Sequence, residues 1–266
     1  MPIARSRLFA AAGLMVGACG VAQAQGFDAV RLQGEPGSEG EGRAGLALIA
    51  GAKYLGSDER RYLLLPTIDY RWKSGWFAGM GNGIGYRFAS SPQFQYGLRL
   101  AADFGRKEHR SEVLRGLGDI SARPEAGAFF NLLVSRELSF SSSLRYGAGN
   151  DRKGMLLDLG AHYGVQLAPQ WRLGGSLSTT YVNRHYMQDY FGITPEQSAR
   201  SGYAVSQVDG GVRDVKLGAS LTHFINRDWA LTGAVSAASL QGDAKRSVIV
   251  RERHPVTAVL ALGFRF

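Results

Sequence analysis

Apolar and polar residues alternate with a period of two along most of the chain after residue 42. In residues 157–167, the odd positions are apolar or aromatic and the even positions are polar or small. Segments of about ten residues with this alternation predict strands of a transmembrane β-barrel, with one face toward lipid and the other toward the interior. No stretch after residue 24 approaches the roughly 18 consecutive apolar residues of a membrane helix. If the chain crosses a membrane, it must therefore do so as a closed barrel.

The segment 256–266 keeps this alternation to its last residue. Its even positions form one apolar face, which ends with Phe264 and Phe266. A strand that ends on Phe resembles the terminal signal by which the assembly machinery recognises bacterial outer-membrane barrels, so we interpret this pair as a membrane-insertion signal. A globular protein with a terminal edge strand is the alternative, although such ends are usually frayed and polar.

Counting the alternating segments gives eleven candidate strands, which is an odd number. Eleven candidates lie near residues 43–53, 62–73, 75–89, 94–106, 124–136, 138–149, 154–168, 171–183, 211–225, 229–241 and 255–266. Because a single-chain bacterial barrel needs an even number, one strand is merged or missed, either at the Asn82-Gly83 pair, which favours a tight turn, or before Gly42. We predict an all-β antiparallel barrel of twelve strands, with ten as the alternative.

The connections predict how the barrel is oriented. Short ones, such as LAPQW and INRDW, are typical of the periplasmic side, and long ones, at about 106–123, 184–210 and 242–254, are typical of the outer side. Trp residues next to short turns indicate an interfacial girdle, although Trp flanks turns in other β proteins too. The four are Trp72, Trp76, Trp171 and Trp229.

The N-terminus has the pattern of an export signal. Arg5 and Arg7 precede an apolar run, and an A-x-A pattern ends at Ala24, so we predict a signal peptide over residues 1–24. Lipidation of Cys19, in a segment that loosely resembles a lipoprotein box, stays open as an alternative.

The remaining chain divides into a predicted flexible periplasmic leader, residues 25–41, and the barrel, residues 42–266. Without the signal peptide, 29 basic and 22 acidic residues leave a formal charge of +7. Exported proteins rarely meet nucleic acid, so we expect no nucleic-acid partner. Membrane lipid and lipopolysaccharide are the anionic partners that we expect for this basic chain.

Three segments, 54–72, 114–120 and 189–202, resemble the MipA/OmpV family of outer-membrane proteins in order and separation. The resemblance implies a barrel in the bacterial outer membrane that acts as a scaffold between a lytic transglycosylase and a peptidoglycan synthase. Other members are described as porin-like or adhesive, so the resemblance alone does not settle the role. The motif residues are Tyr54, Gly56, Ser57, Asp58, Gly116, Gly118, Asp119, Tyr190, Phe191 and Gly192.

Basic residues on the inward faces favour a channel as the second hypothesis. Arg99 and Arg172, together with Arg71 and Arg145, would form a cationic lumen for anionic solutes. Against this, ten or twelve strands enclose little free water, and side chains can fill the space.

A barrel-embedded lipid hydrolase is the third hypothesis. Asp158 and His162 lie four residues apart on one strand and project the same way, and Ser176 or Ser178 would point inward from the next strand. A single inward His among Ser and Gly is more often a hydrogen-bonded lumen residue. The His residues show no metal-ligand spacing, and we predict no enzyme activity, cofactor or metal site.

The segment DYFGITPEQSARSGY is the most informative loop. Tyr190 and Phe191 are expected to be exposed aromatics, and Thr194 and Pro195 are expected to begin a short helix as its cap and first residue. Such a loop can plug the lumen, offer a docking surface or merely seal the mouth. The basic residues of the outer loops, such as Arg106, are expected to contact lipopolysaccharide phosphates or solvent.

The sequence therefore favours a non-enzymatic outer-membrane barrel, with the scaffold role implied by the resemblance. Its partners would be captured through the periplasmic turns and the leader, residues 25–41, while the barrel serves as the anchor.

Overall fold

The described residues, which are residue 40 and residues 42–91 and 93–266 of a computed structural model, form a closed antiparallel barrel. Each strand pairs with its neighbours in sequence, and the last strand pairs with the first. The prediction of twelve strands is confirmed. They are β1 Gly42–Ala52, β2 Arg60–Arg71, β3 Trp76–Gly79, β4 Gly83–Ser90, β5 Phe94–Asp103, β6 Arg123–Leu133, β7 Leu138–Ala148, β8 Gly154–Ala168, β9 Trp171–Val182, β10 Gly211–Phe224, β11 Trp229–Leu240 and β12 Val256–Arg265.

Two strands were counted as one at the Asn82-Gly83 pair, which is one of the two places where we expected a merged or missed strand. The candidate at 75–89 divides into β3 and β4, which pair from Trp76 opposite Tyr86 to Gly79 opposite Gly83. Gly83 has a φ of 74°, and a Cβ there would lie 2.0 Å from the carbonyl oxygen of Leu100. Only glycine fits this position, so the hairpin turns sharply after four residues of β3.

The barrel has two different ends. Short turns and both Gly42 and Phe266 lie at one end, which we call the turn end, and the long connections lie at the other, which we call the loop end. The amide of Gly42 donates to the carbonyl of Phe266, and the amide of Phe266 donates back. Exposed Trp side chains surround the turn end, as an interfacial girdle would; they are Trp72, Trp76, Trp171 and Trp229.

The inward and outward faces follow the sequence pattern. On β5, Leu98 and Leu100 are exposed on the outer face, whereas Arg99 between them is buried inside. On β12, Leu260 is likewise exposed and its neighbour Val259 is buried. The outer surface is therefore apolar and suited to lipid, and much of the inner surface is polar.

Helices in the described residues lie at the loop end. They are two 3₁₀ turns, Glu108–Arg110 and Glu112–Leu114, and the α-helices α1 Arg184–Phe191, α2 Pro195–Ser201 and α3 Gly242–Arg246. Within the described ranges, none of the helices has the length and apolar character needed to span a membrane. The predicted signal peptide, Cys19 and, apart from Gly40, the leader at 25–41 lie outside the described residues.

Candidate functional site: the plugged loop end

Four connections at the loop end pack together over and into the barrel mouth as one unit, which we call the plug. It consists of residues 53–59, 104–122, 183–210 and 241–255. Buried apolar side chains from different connections form its core and join it to the upper strands. The three family-like motifs, which are far apart in sequence, all place residues in this unit.

The first motif ties connection 53–59 to the last connection of the plug. Tyr54 is 1% exposed, and its hydroxyl donates to the carbonyl of Ile249 at 2.9 Å. Burial raises the pKa of Tyr54 to about 12. Gly56 has a φ of 95°, which favours glycine, and its carbonyl accepts two backbone amides from the last connection. Ser57 is buried and Asp58 is exposed.

The second motif folds around two carboxylates. The side chain of Glu108 accepts the backbone amides of Gly116 at 2.6 Å and Gly118 at 3.0 Å. Asp119 accepts the amide of Glu108 at 2.8 Å and the ammonium of Lys107 at 2.9 Å. The backbone amide and then the Lys107 ammonium hold the pKa of Asp119 below its usual range. This connection is therefore fixed by charge-assisted hydrogen bonds.

The second and third motifs contact each other through α2. Thr194 caps this helix with a full capping box, in which Gln197 is the third residue, as its sequence predicts. The Gln197 amide also donates to the carbonyl of Leu117 at 2.7 Å. Gly116 has a φ of 82°, and a Cβ there would lie 2.7 Å from the backbone of Ser201. Close packing against α2 thus requires glycine at this position.

The expectation that Tyr190 and Phe191 are exposed is wrong. They are 7% and 1% exposed, because α1 turns its apolar face into the barrel. The Tyr190 hydroxyl donates to the carboxylate of Asp103, with oxygen distances of 2.6 and 2.7 Å. Burial and then the Asp103 charge raise the pKa of Tyr190 well above its usual value. Gly192 follows as the C-cap residue of α1.

Arg106 is also buried, which corrects the expectation that it faces lipopolysaccharide or solvent. Its side chain is 2% exposed and donates to the carbonyl of Tyr190 at 2.7 Å. Burial lowers its pKa, and the nearby tyrosines and Asp189 partly oppose that shift. Arg106 therefore holds α1 in place from the connection that precedes β6.

Below the plug, an ion-pair belt crosses neighbouring inward faces. The guanidinium of Arg145 on β7 lies 2.9 Å from Glu125 on β6 and 2.9 Å from Asp158 on β8. Asp158 also accepts the hydroxyl of Thr180 on β9 at 2.9 Å. Four consecutive strands are thus linked through one buried arginine, so this part of the lumen is occupied by paired charges.

A bulge in β10 adds a second ion pair to the belt. The pairing of β10 with β9 shifts between Val212 and Asp214, so that Arg213 and Asp214 are both buried inside. The two side chains are 2.6 Å apart, and Lys216 lies 3.8 Å from Asp214. Arg213 also donates to the hydroxyl of Tyr186 at 2.8 Å, which connects the belt to α1.

The predicted lumen residues face inward but do not form one site. Arg99 is buried at the level of the belt and donates to Ser143 on β7. Arg172 lies half-buried near the start of β9, close to the turn end. The predicted cationic lumen therefore contains arginines at different heights, and Arg145 among them is held by carboxylates.

The structure has only part of the geometry that the hydrolase hypothesis needs. His162 lies opposite Ser176 on β9, and its Nε2 is 2.9 Å from the hydroxyl of Ser141 on β7. Asp158 contacts Arg145 and Thr180, and along an extended strand its Cα lies about 13 Å from that of His162. A triad needs the carboxylate beside the imidazole. Within the described part of the chain, no group of three or more His, Cys, Asp or Glu residues could hold a metal ion.

The sequence pattern does not identify Asp103, Glu125 and Asp214 as structural residues. Each is a carboxylate at or near the loop end of its strand. The recurrence of charged residues near the loop end of several strands is the sequence signal by which they could have been found. Which of them pair with each other depends on strand register, and the alternation does not determine that.

The family model described as "MltA-interacting protein MipA" matches residues 44–266. No curated protein sequence matches the chain significantly. Among solved structures, the NanC porin has a TM-score of 0.48 at 9% identity, over 82% of this chain and 98% of that one. The translocator domain of the autotransporter NalP from Neisseria meningitidis has a TM-score of 0.47 at 11% identity, over 91% and 94%. At these identities the structural similarities concern the barrel fold alone.

Proposed function

This chain belongs to the MltA-interacting protein (MipA) family, and from this membership we propose that it is a non-enzymatic scaffold that binds a murein transglycosylase. The protein is a closed β-barrel of the bacterial outer membrane. We place its turn end in the periplasm, where such an enzyme acts, because periplasmic turns of these barrels are short and the outer loops are long.

The plug is the observation that supports a scaffold most directly. Its buried tyrosines Tyr186 and Tyr190 contact residues of the upper lumen, and the ion pairs around Arg145 lie beneath them. A barrel filled in this way can anchor a surface firmly in the membrane without needing an open path through its centre.

The turn end offers the surface for a partner. Its exposed charged side chains include both cations and carboxylates, which are spread over three turns. Those charges are Lys73, Arg136, Glu137, Arg227 and Asp228. A polar rim above a ring of membrane-anchored Trp residues is a typical setting for a moderate, salt-dependent protein contact.

The test is binding of a purified lytic transglycosylase to the purified full chain in mild detergent, measured by surface plasmon resonance. We expect Arg136→Glu combined with Arg227→Glu to weaken binding at least about tenfold, because charge reversal at a contact costs more than about 1.4 kcal/mol. Arg115→Glu, a charge reversal of an arginine that is 79% exposed at the loop end, is the matched control.

Each result of this experiment has a clear meaning. Loss of binding in the turn-end variant alone supports the scaffold and its orientation. Equal binding by all three proteins would reject the turn-end surface and direct attention to the predicted leader, residues 25–41. No binding by the unchanged barrel would reject the scaffold role for this enzyme.

A porin-like channel is tested separately by single-channel recording in planar bilayers. Because the plug and the ion-pair belt occupy the lumen, we expect no discrete conductance steps from the unchanged protein. Regular steps that favour anions would replace the scaffold with the channel as the leading function.

A further inference from the structure

The barrel wall is incomplete between β2 and β5. Of the twelve residues of β2, only Asp69, Tyr70 and Arg71 pair with β3, and the amide of Met80 adds one bond to Ile68. Within the described residues, no strand pairs with residues 60–67 on that side, whereas β1 pairs with them on the other. A gap about eight residues long therefore lies above the β3–β4 hairpin.

The sequence of β2 is adapted to an open edge. The carbonyl of Ile68 faces β3, so alternation makes the backbone groups of Pro66, Leu64 and Tyr62 face the gap. Pro66 has no amide hydrogen, which removes one donor from the open edge. Leu64 and Tyr62 have 67% and 70% exposed side chains, as expected beside a missing neighbour.

A cavity of about 320 Å³ borders this gap on the side of β5, where the β3–β4 turn and the end of β5 line it. Its lining includes Ile84 and Leu100, which are 59% and 60% exposed on the lipid face. The same lining includes Glu125 and Arg145, which are buried in the lumen. A cavity lined by residues whose side chains lie on opposite faces of the sheet lies at the wall itself, and its size suits a small-molecule ligand.

The outer part of the cavity is apolar. Met80 and Phe104 line it, and like the inward-facing Leu63 and Leu65 of β2 they pack against the buried cluster of Ala47, Ile49 and Val259. An apolar patch on the inner surface is unusual for a membrane barrel, whose interior is generally polar. Here it lies on the inner side of the wall, beside the gap.

The inner part of the cavity is polar but carries no net formal charge. Asp103 and Glu125 line it together with Arg145 and Arg213, and the hydroxyl of Tyr190 lies among them. An anionic group would meet two carboxylates there, and a cationic group would meet two guanidinium groups. An uncharged group that forms hydrogen bonds meets neither penalty.

From this geometry we propose that the gap is a lateral binding site for a single-chain amphiphile with a small uncharged polar head, which enters from the surrounding lipid. The head lies in the lumen near Tyr190 and Arg145, and the chain extends past Met80 and Leu100 into the bilayer. This site is separate from the proposed scaffold surface at the turn end and does not depend on it.

The test uses photolabelling of the full chain in phosphatidylcholine nanodiscs. The probe is a monodecanoyl glycerol that carries a diazirine in its acyl chain, and labelled peptides are identified by mass spectrometry. We expect labelling to concentrate in residues 79–84 and 100–105. Unlabelled monodecanoyl glycerol should compete at least about tenfold better than decanoate or decyltrimethylammonium, which have the same chain length.

The variant Ala101→Trp fills the cavity from the inner face of β5, and Ala258→Trp makes the same change on the lipid face of β12 as a control. We expect at least a tenfold loss of labelling in the first and none in the second. Uniform labelling around the barrel of the unchanged protein would show annular lipid only and overturn the proposal, even if Ala101→Trp fails to assemble. Equal competition by the three head groups would overturn the preference for an uncharged head.

Discussion

Replacing Arg145 tests whether the ion-pair belt stabilises the barrel. In Arg145→Leu, the carboxylates of Glu125 and Asp158 lose their shared partner; their side chains are 1% and 27% exposed, and that of Arg145 is 6% exposed. Removing one partner of a buried pair costs about 3 to 5 kcal/mol. We expect about 3 kcal/mol here, since Asp158 keeps Thr180 and some contact with solvent.

The assay is reversible urea unfolding in phosphatidylcholine vesicles, followed by Trp fluorescence. Adding Glu125→Gln to Arg145→Leu should recover at least half of the loss, because one of the two facing charges disappears. Arg136→Leu, at an exposed turn, should change stability by less than about 0.5 kcal/mol. A loss below about 1 kcal/mol in Arg145→Leu, or no recovery in the double variant, would refute the role of the belt.

Three further predictions concern the plug and the closing strand. Gly116→Ala should destabilise the plug by at least about 1 kcal/mol, because the φ of residue 116 is 82° and the added Cβ meets the backbone of α2. Limited proteolysis should then cut within residues 104–122, and unchanged resistance to the protease would contradict this. The folded pKa of Asp119 is lowered, so its stabilisation is present above the unfolded value of about 3.9 and is lost as pH falls through the folded value. The protection of plug amides against exchange, taken relative to the intrinsic exchange rate at each pH, should therefore fall on acidification in the unchanged chain, and Asp119→Asn should lack this step. Deleting Phe266 removes the two backbone hydrogen bonds to Gly42. This deletion should lower the fraction of folded, heat-modifiable protein in outer membranes. A normal yield of folded protein would argue against the insertion signal.

The alternation predicted most of the barrel because lipid and lumen impose opposite demands on successive residues. It failed at β3, which is only four residues long and too short to show a period of its own. The strand count was recovered only from the parity rule and the Asn82-Gly83 turn signal. A face assignment such as outward Leu260 depends only on local order, and the side chain of Leu260 is exposed on the outer face.

The plug could not be predicted in the same way. Tyr190 and Arg106 read as exposed loop residues because their partners are distant in sequence: Asp103 is 87 positions from Tyr190, and Arg106 is 84. Within the loop, the capping box of α2 was predictable because Thr194 and Gln197 interact over three residues. Contacts within one turn of helix can be inferred from sequence, whereas contacts between loops require the strand register that brings the loops together.

The pairing of β12 with β1 also constrains the order in which the protein folds. Arg43 pairs with Arg265, about 220 residues later, whereas the other strand pairs join neighbours in sequence. Hairpins can form early because they close short loops, but the β1–β12 seam requires the largest loss of chain entropy and must form late. Until then the partly built sheet has two open edges that can pair with other chains. The vulnerable state of this protein is therefore the unclosed sheet, and a variant that weakens the seam should aggregate during assembly even if its finished barrel is stable.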